Sequence, residues 1–210
     1  AAVYEMVEVL SPTRLRIKPA AKAEGKADYS IGRRCYGKFT VSNCDFFLLD
    51  TRSHRSLHNV ENPGNPKATM LGKQQLNWLK NEIKKSKADF LFIVSSVNFM
   101  VPHVGSGGGS DKQATIKKDD AWTVFLKERE ELIEFWDGLD KGVFVLTGDL
   151  HNSFAIKITD NVYEFASGPH NSINHAPMKD EGGRPSNGKF KYGPRACDIR
   201  WSSYAMEDIP

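Results

Sequence analysis

Apolar residues come along this chain in short blocks, and the spacing inside each block sets the element it predicts. The opening YEMVEVL followed by the Lys/Ala-rich RIKPAAKAEGKA predicts a helix end and then an exposed arm over residues 1–30, its charges a solvated loop. In YGKFTVSNCDFFLLDTR, aromatic and β-branched residues flank Ser42-Asn43, a candidate tight turn. Phe46 to Leu49 are then continuously apolar, as in a strand covered on both faces. Pro63, Gly64 and Pro66 mark a loop. Leu76, Leu79 and Ile83 recur at helical spacing in a helix predicted from Leu71, and FLFIV at Phe90 to Val94 reads as a second buried strand.

The Gly/Ser-rich VPHVGSGGGSDKQATIKKDD predicts a mobile loop, native or engineered; it lacks the lysine–hydroxyl pair of a phosphate-cradling loop. Asp119 or Asp120 is placed to cap the next helix, whose apolar stripe is Phe125, Leu132, Trp136 and Leu139. Val143 to Thr147 form a third buried strand that stops at Gly148-Asp149-Leu150-His151. SFAIKI and NVYEFA then predict an antiparallel pair around Asp160-Asn161. Beyond Gly168 the chain turns Gly-, Pro- and Asn-rich, with one apolar piece, CDIRW. Strand, helix, strand, helix, strand, strand, strand describes an α/β layered domain with a mixed sheet.

Composition narrows this. With 40% hydrophobic and 26% charged residues in 210, a core can be buried. Neither a membrane-spanning run nor a signal-peptide pattern is visible, and the compartment stays open. Lys plus Arg at 29 against Asp plus Glu at 26, a balance of +3, gives no concentrated basic face for nucleic acid. Cys35, Cys44 and Cys197 are too few and too widely spaced for a disulfide framework or a CxxC zinc site, though Cys35 and Cys44 could bridge across a hairpin.

The chemistry concentrates where buried strands end. Gly148-Asp149-Leu150-His151-Asn152 puts a carboxylate and an imidazole two positions apart at the edge where open α/β sheets bind ligands. Such a pair suits a borderline divalent or ferric metal, and Gly148 leaves room for close approach; a surface turn is the alternative. Asp50-Thr51-Arg52-Ser53-His54-Arg55 follows another strand: its arginines could clamp a phosphate, or an Asp–Arg pair could tie the loop down. Asn98 reads mainly as a turn residue, and His170, Asn171, Asn174 and His175 as a polar knot that could rim a site. His58 and His103 take no role. No GxSxG elbow or Cys–His signature supports a covalent nucleophile.

In order, FFLLDTRSHR, MLGKQQLNWLKNEIKKSKADFLFIVSS, DDAWTVFLKEREELIEFW and VFVLTGDLHNSFAIKI resemble the later half of PhoD-like alkaline phosphatases, in the calcineurin-like metallophosphoesterase superfamily. The resemblance runs from about residue 30 to 167, and LDTRSxR with LTGDxH is its most specific pair. It implies a sandwich of two mixed sheets flanked by helices, incomplete here. Residues 31–168 would be the carboxyl-terminal half of that domain and 169–210 an irregular tail packed on it. It also implies Asp149 and His151 as metal ligands and catalytic residues, an arginine beside them such as Arg52 as a substrate-binding residue, and iron together with calcium as cofactors; His170, from the polar knot, is the further substrate-binding candidate. The reaction implied is hydrolysis of phosphate monoesters, diesters or both by metal-activated water.

The family's earlier motifs, a GDxxY-type strand end and a WDDHDxGxN-type segment, are absent, and Asp119-Asp120 lacks a following histidine. The expected partners are therefore a phosphate ester and an amino-terminal half of the same protein that carries the remaining ligands. The chain alone is expected to be inactive or weak and to expose an apolar surface where that half packs, favouring dimerisation, aggregation or marginal stability. The alternative is a non-catalytic binding or scaffold domain that keeps the fold.

Overall fold

The computed structural model describes residues 4–26, 34–57, 61–102, 120–168 and 185–203. The chain divides into two compact units, up to Cys35 and from Tyr36 onward. The first holds a β-hairpin, β1 (Glu5–Ser11) antiparallel to β2 (Arg14–Lys18). The helix end expected at YEMVEVL is a strand instead, and the arm begins only after β2, with residues 19–26 exposed and without regular structure. Glu5 faces Lys18 and Glu8 faces Arg16 across the ladder, and Glu8 and Arg16 form an ion pair. Two charges of the run, Arg16 and Lys18, thus face acidic residues across the ladder while remaining exposed, a relation helical periodicity cannot register.

The second unit contains an eight-stranded mixed sheet. Its strands are β3 (Gly37–Val41), β4 (Cys44–Leu48), β5 (Phe90–Val94), β6 (Gly142–Thr147), β7 (Phe154–Lys157), β8 (Val162–Ala166), β9 (Gly188–Tyr192) and β10 (Arg195–Ser202). Their spatial order is β3-β4-β5-β6-β8-β7-β10-β9. β4, β5, β6 and β8 run parallel and the other pairings are antiparallel. Helices α1 (Gly72–Lys85) and α2 (Leu126–Asp137) fill the β4–β5 and β5–β6 crossovers. The tight turn at Ser42-Asn43 forms as expected, with Ser42 at φ 53°, and β7 and β8 pair antiparallel.

Among the described residues of the second unit there is one mixed sheet with a helical layer. Residues 188–202, expected to be irregular, form a hairpin that extends it. Gly193 makes that hairpin's turn at φ +69°, and a Cβ there would come 2.7 Å from Leu126 Cδ1. Glu130 of α2 holds Arg195 at 2.6 Å, and Arg129 donates to the Tyr192 carbonyl at 3.0 Å. These are long-range contacts, which explains why the tail's own weak pattern does not announce them.

Strand alternation gives the sheet two different faces. Phe47, Leu91, Ile93, Val143, Val145, Ile156, Val162 and Ile199 point inward and pack on Leu79, Ile83, Leu132, Ile133 and Trp136 of the helices. Phe39, Phe46, Phe92 and Phe144 stack along the other face, with successive ring centroids 4.8, 4.6 and 5.3 Å apart. Phe165 and Tyr163 continue this aromatic row. From β7 onward the same face becomes charged: Asp198 pairs with Lys189 at 3.3 Å and Arg200 at 3.2 Å.

Helix starts are secured by tertiary contacts. At the N-terminus of α1, Glu128 of α2 accepts the N–H groups of Met70 at 3.2 Å and Leu71 at 2.9 Å. The aspartate cap expected for α2 is not made. A short 3-10 turn, Trp122–Val124, intervenes, Phe125 takes the cap position without a side-chain bond, and Asp120 pairs elsewhere; Asp119 lies outside the described residues. All three cysteines are free, so no Cys35–Cys44 bridge forms. Burial pushes the Cys197 thiol up to about 12, which makes it a core residue rather than a nucleophile. No described helix is long and apolar enough to cross a membrane.

Asp45 is a charge built into the inner face. Lys38 pairs with it at 2.7 Å, Thr40 donates at 2.5 Å, and Ser86 at the end of α1 donates at 2.5 Å. Burial works to raise its pKa, but the bonds from Lys38, Ser86 and Thr40 outweigh it and leave the carboxyl below its ordinary range. Asp45→Ala should therefore cost about 3 kcal/mol. The folded pKa is depressed, so the carboxylate's contribution is present above the unfolded value and is lost as pH falls through the folded one. Thermal melts of wild type and Asp45→Asn should differ at neutral pH and converge in acid; a gap independent of pH would contradict the assignment.

Candidate functional site

Because β4, β5, β6 and β8 are parallel, their carboxyl ends share one edge of the sheet. The loop after β4 carries Asp50 to Arg55, the loop after β5 carries Ser95 to Asn98, and the turn after β6 carries Asp149 and His151. The ladder continues past the strands, with Leu49 N to Val94 O at 2.9 Å, Ser95 N to Leu146 O at 2.9 Å and Ser167 N to Thr147 O at 3.0 Å. Three of the sequence's candidate segments thus meet along one edge through parallel pairing alone.

β6 ends at Thr147, so Asp149 and His151 stand in a turn rather than in extended strand. Both have left-handed backbones, at φ 73° and 57°, uncommon for residues bearing a Cβ. Leu150 between them is buried, Asp149 is exposed and His151 is half-buried. The buried Leu150 anchors the turn between them, and the backbone there is not extended strand. The carboxylate and imidazole suit a borderline cation in type. Two such donors are nevertheless short of a catalytic centre, and among the described residues no group of three or more His, Cys, Asp or Glu gathers to hold an ion.

The loop after β4 is organised by Asp50. Its Oδ1 accepts the N–H groups of Arg52 and Ser53, each at 2.9 Å, while Gln75 of α1 exchanges two bonds with the Asp50 backbone at 2.8 and 2.9 Å. Burial raises the Asp50 pKa, but these backbone donors, the Ser53 hydroxyl and nearby His54 outweigh it and hold the group below the usual carboxylate range. An aspartate does tie the loop down, by way of the backbone. The Arg52 guanidinium is left half-exposed and pairs with Asp120 at 3.1 Å.

Thr51 and Ser96 hydroxyls meet at 2.6 Å, joining the loops after β4 and β5. Trp122 donates from Nε1 to Ser95 Oγ at 3.1 Å and from its backbone to Asn98 O at 3.3 Å. Asn98 is fully buried and its amide donates to Val101 O, the turn role expected of it. Its Oδ1, like Asp50 Oδ2 and Asp120 Oδ1, is buried without a hydrogen-bond partner among the described residues. His170, Asn171, Asn174 and His175 lie outside the described residues, as do His58, His103 and the Gly/Ser-rich stretch.

Sequence reading missed Glu164 and Glu128. Strand alternation puts Glu164 on the same face as Val162 and Ala166, and that charged residue at an inward position was the available signal. Glu128 gave no comparable hint, since it falls within the charged run KEREE, in which nothing local separates the buried Glu128 and Arg129 from the exposed Lys127 and Glu131.

A mixed α/β sheet with helices on one face and polar loops at its carboxyl edge is a layered α/β domain, consistent with a metallophosphoesterase-like fold. A family profile described as PhoD-like phosphatase matches residues 13–194, and the chain belongs to that family. It is 32% identical over 131 residues to alkaline phosphatase D of Bacillus subtilis (strain 168), a match covering 57% of this chain and 21% of the relative. A solved structure titled "Structure of PhoD" is similar at TM-score 0.51 and 25% identity, over 80% of this chain and 35% of that one. A structure of GAP50, the anchor in the inner membrane complex of Plasmodium, reaches only TM-score 0.35 at 16% identity, too low to carry a fold argument. The chain thus spans about a fifth to a third of the length of the relatives it matches.

Proposed function

We propose that this chain supplies the carboxyl-terminal part of a phosphoesterase active site acting on phosphate monoesters, diesters or both. Asp149 and His151 face the metal, and Arg52, oriented by Asp120, faces the phosphoryl group. The observation that carries the reading is the common edge: the Asp149–His151 turn and the Arg52 loop leave parallel strands of one sheet on the same side. The relatives' printed names support the phosphatase class. A metal bound there, by family likeness iron together with calcium, would supply Lewis acidity toward phosphoryl and water oxygens. The remaining ligands come, in this reading, from further chain of the same protein, which also covers the aromatic half of the sheet.

The chain's own residues have separable roles. The Asp149 carboxylate and His151 imidazole supply one anionic and one neutral donor. Arg52 offers a planar guanidinium to non-bridging phosphoryl oxygens, and Asp50 holds the backbone beneath it. Arg52→Lys keeps the charge but loses the fork, so a rise in KM of about tenfold with a smaller change in kcat is expected in the complete enzyme. An unchanged KM would remove Arg52 from substrate binding.

The test of the site itself does not need turnover. Mn2+ titrated into the labelled chain should broaden the His151 imidazole resonances before those of His54, and Asp149→Asn should suppress that response. Absence of selective broadening at His151 would leave the scaffold-domain alternative in place.

A further inference from the structure

Glu164 sits in the middle of β8 with no solvent exposure, on the helix-covered face where an apolar side chain ordinarily stands. Its Oε1 accepts the Phe99 N–H at 2.9 Å and the Thr147 hydroxyl at 2.7 Å, and its Oε2 accepts the Met100 N–H at 2.8 Å. Burial raises its pKa, against the pull of these donors and of the buried Arg129 charge. A carboxylate kept at such a place costs desolvation, and what it gains is a three-way tie. The tie joins β8, the loop that leaves β5, and the last residue of β6.

That last residue, Thr147, is separated from Asp149 only by Gly148. Asp149 and His151 hold left-handed backbones, which persist where the surroundings over-determine them. On the far side of the turn the determinants are clear. Leu150 is buried, Asn152 Oδ1 accepts the Ser203 hydroxyl at 3.1 Å, Ser203 Oγ accepts the Ser153 N–H at 3.0 Å, and Ser153 Oγ accepts the Gly168 N–H at 2.8 Å. On the near side Thr147 is held by its backbone carbonyl, which accepts the Ser167 N–H at 3.0 Å, and by its side chain through the Thr147–Glu164 bond.

We infer that Glu164 is a positioning residue for the Asp149–His151 turn. Through Thr147 Oγ1 and the Phe99 and Met100 amides, it fixes the exit of β6 against the loop after β5. The consequence for metal binding rests on the reading of Asp149 and His151 as ligands; the mechanical role does not. Glu164 touches neither ligand and acts only through Thr147 and the loop backbone.

The experiment compares Thr147→Val, Thr147→Ser and Glu164→Gln in the labelled 210-residue chain. Amide hydrogen exchange is read at residues 148–152 and, as a control for global stability, at Leu79 and Ile83 of α1. Thr147→Val should accelerate exchange in the turn about tenfold with the α1 amides unchanged. It should also weaken the Mn2+ response of His151 about tenfold, as loss of a ligand-orienting contact does. Thr147→Ser, which keeps the hydroxyl, should match wild type in both, and Glu164→Gln should follow Thr147→Val. Should Glu164→Gln fail to fold, the valine–serine pair decides alone. Wild-type behaviour of Thr147→Val, or equal damage from Thr147→Ser, overturns the inference. A wild-type chain without any Mn2+ response at His151 removes the metal reading, while turn exchange still judges Glu164.

Discussion

Asp149→Asn and His151→Ala, each introduced into the complete protein, should on the proposed function lower turnover of a phosphate ester by about 10³-fold or more, roughly 4 kcal/mol of barrier. The loss should fall on kcat and kcat/KM together, because the proposed role of both side chains is to hold a group that acts on the reacting phosphoryl. Folding should be little affected. Asp149 is exposed and His151 half-buried, so neither substitution opens a cavity in the core. The measurement is steady-state hydrolysis paired with metal content by mass spectrometry. Reduced metal with a native melting curve would support ligation. Full activity in either variant would sink the site assignment, whatever became of the family membership.

The 210-residue chain by itself should associate with a concentration dependence in the micromolar range, seen as a rising mass in sedimentation velocity. The cause is the outer sheet face, where Phe39 is 46%, Val41 56%, Phe90 42% and Phe165 43% exposed around a stacked aromatic row. Fully burying each such side chain is worth about 1.5–3 kcal/mol, and contiguous patches of this kind seldom stay open to water. The charged strip of Lys189, Asp198 and Arg200 limits the patch at β10, so association should be confined to the aromatic half. Phe39→Lys with Phe165→Lys should restore a monomer by placing two like charges in the contact. A wild-type chain that stays monomeric at high concentration would show that the aromatic face is tolerated in water and needs no cover. In the complete protein the same double substitution should instead destabilise, if further chain packs on this face.

Local patterns were enough for part of this architecture. The runs at Phe46, Phe90 and Val143 became β4, β5 and β6, and Leu79, Ile83, Leu132 and Trp136 became the helix stripes facing them. These signals are legible because burial on a sheet or helix imposes a period of two or 3.6 residues, and that period is written in consecutive side chains. Periodicity failed at β1 and β2, where Glu5 faces Lys18 and Glu8 pairs with Arg16 across an exposed ladder, and at β9 and β10, which are held to α2 by Arg195–Glu130 and Arg129–Tyr192.

The candidate site divides in the same way. Asp149, His151 and Arg52 stand out in sequence because a carboxylate, an imidazole and a guanidinium follow buried strands, and donor chemistry is a property of the residue type. That their loops share an edge follows from the parallel order β4-β5-β6-β8, which no single segment contains. The pairing of Arg52 with Asp120 and the tie from Glu164 to Thr147 join residues 68 and 17 positions apart. The sequence by itself determined which groups are available and which stretches become buried elements, because both are set by local composition and spacing. Only the tertiary structure decided which groups meet and how they are held, because directional bonds between distant segments form only after the sheet has brought them together.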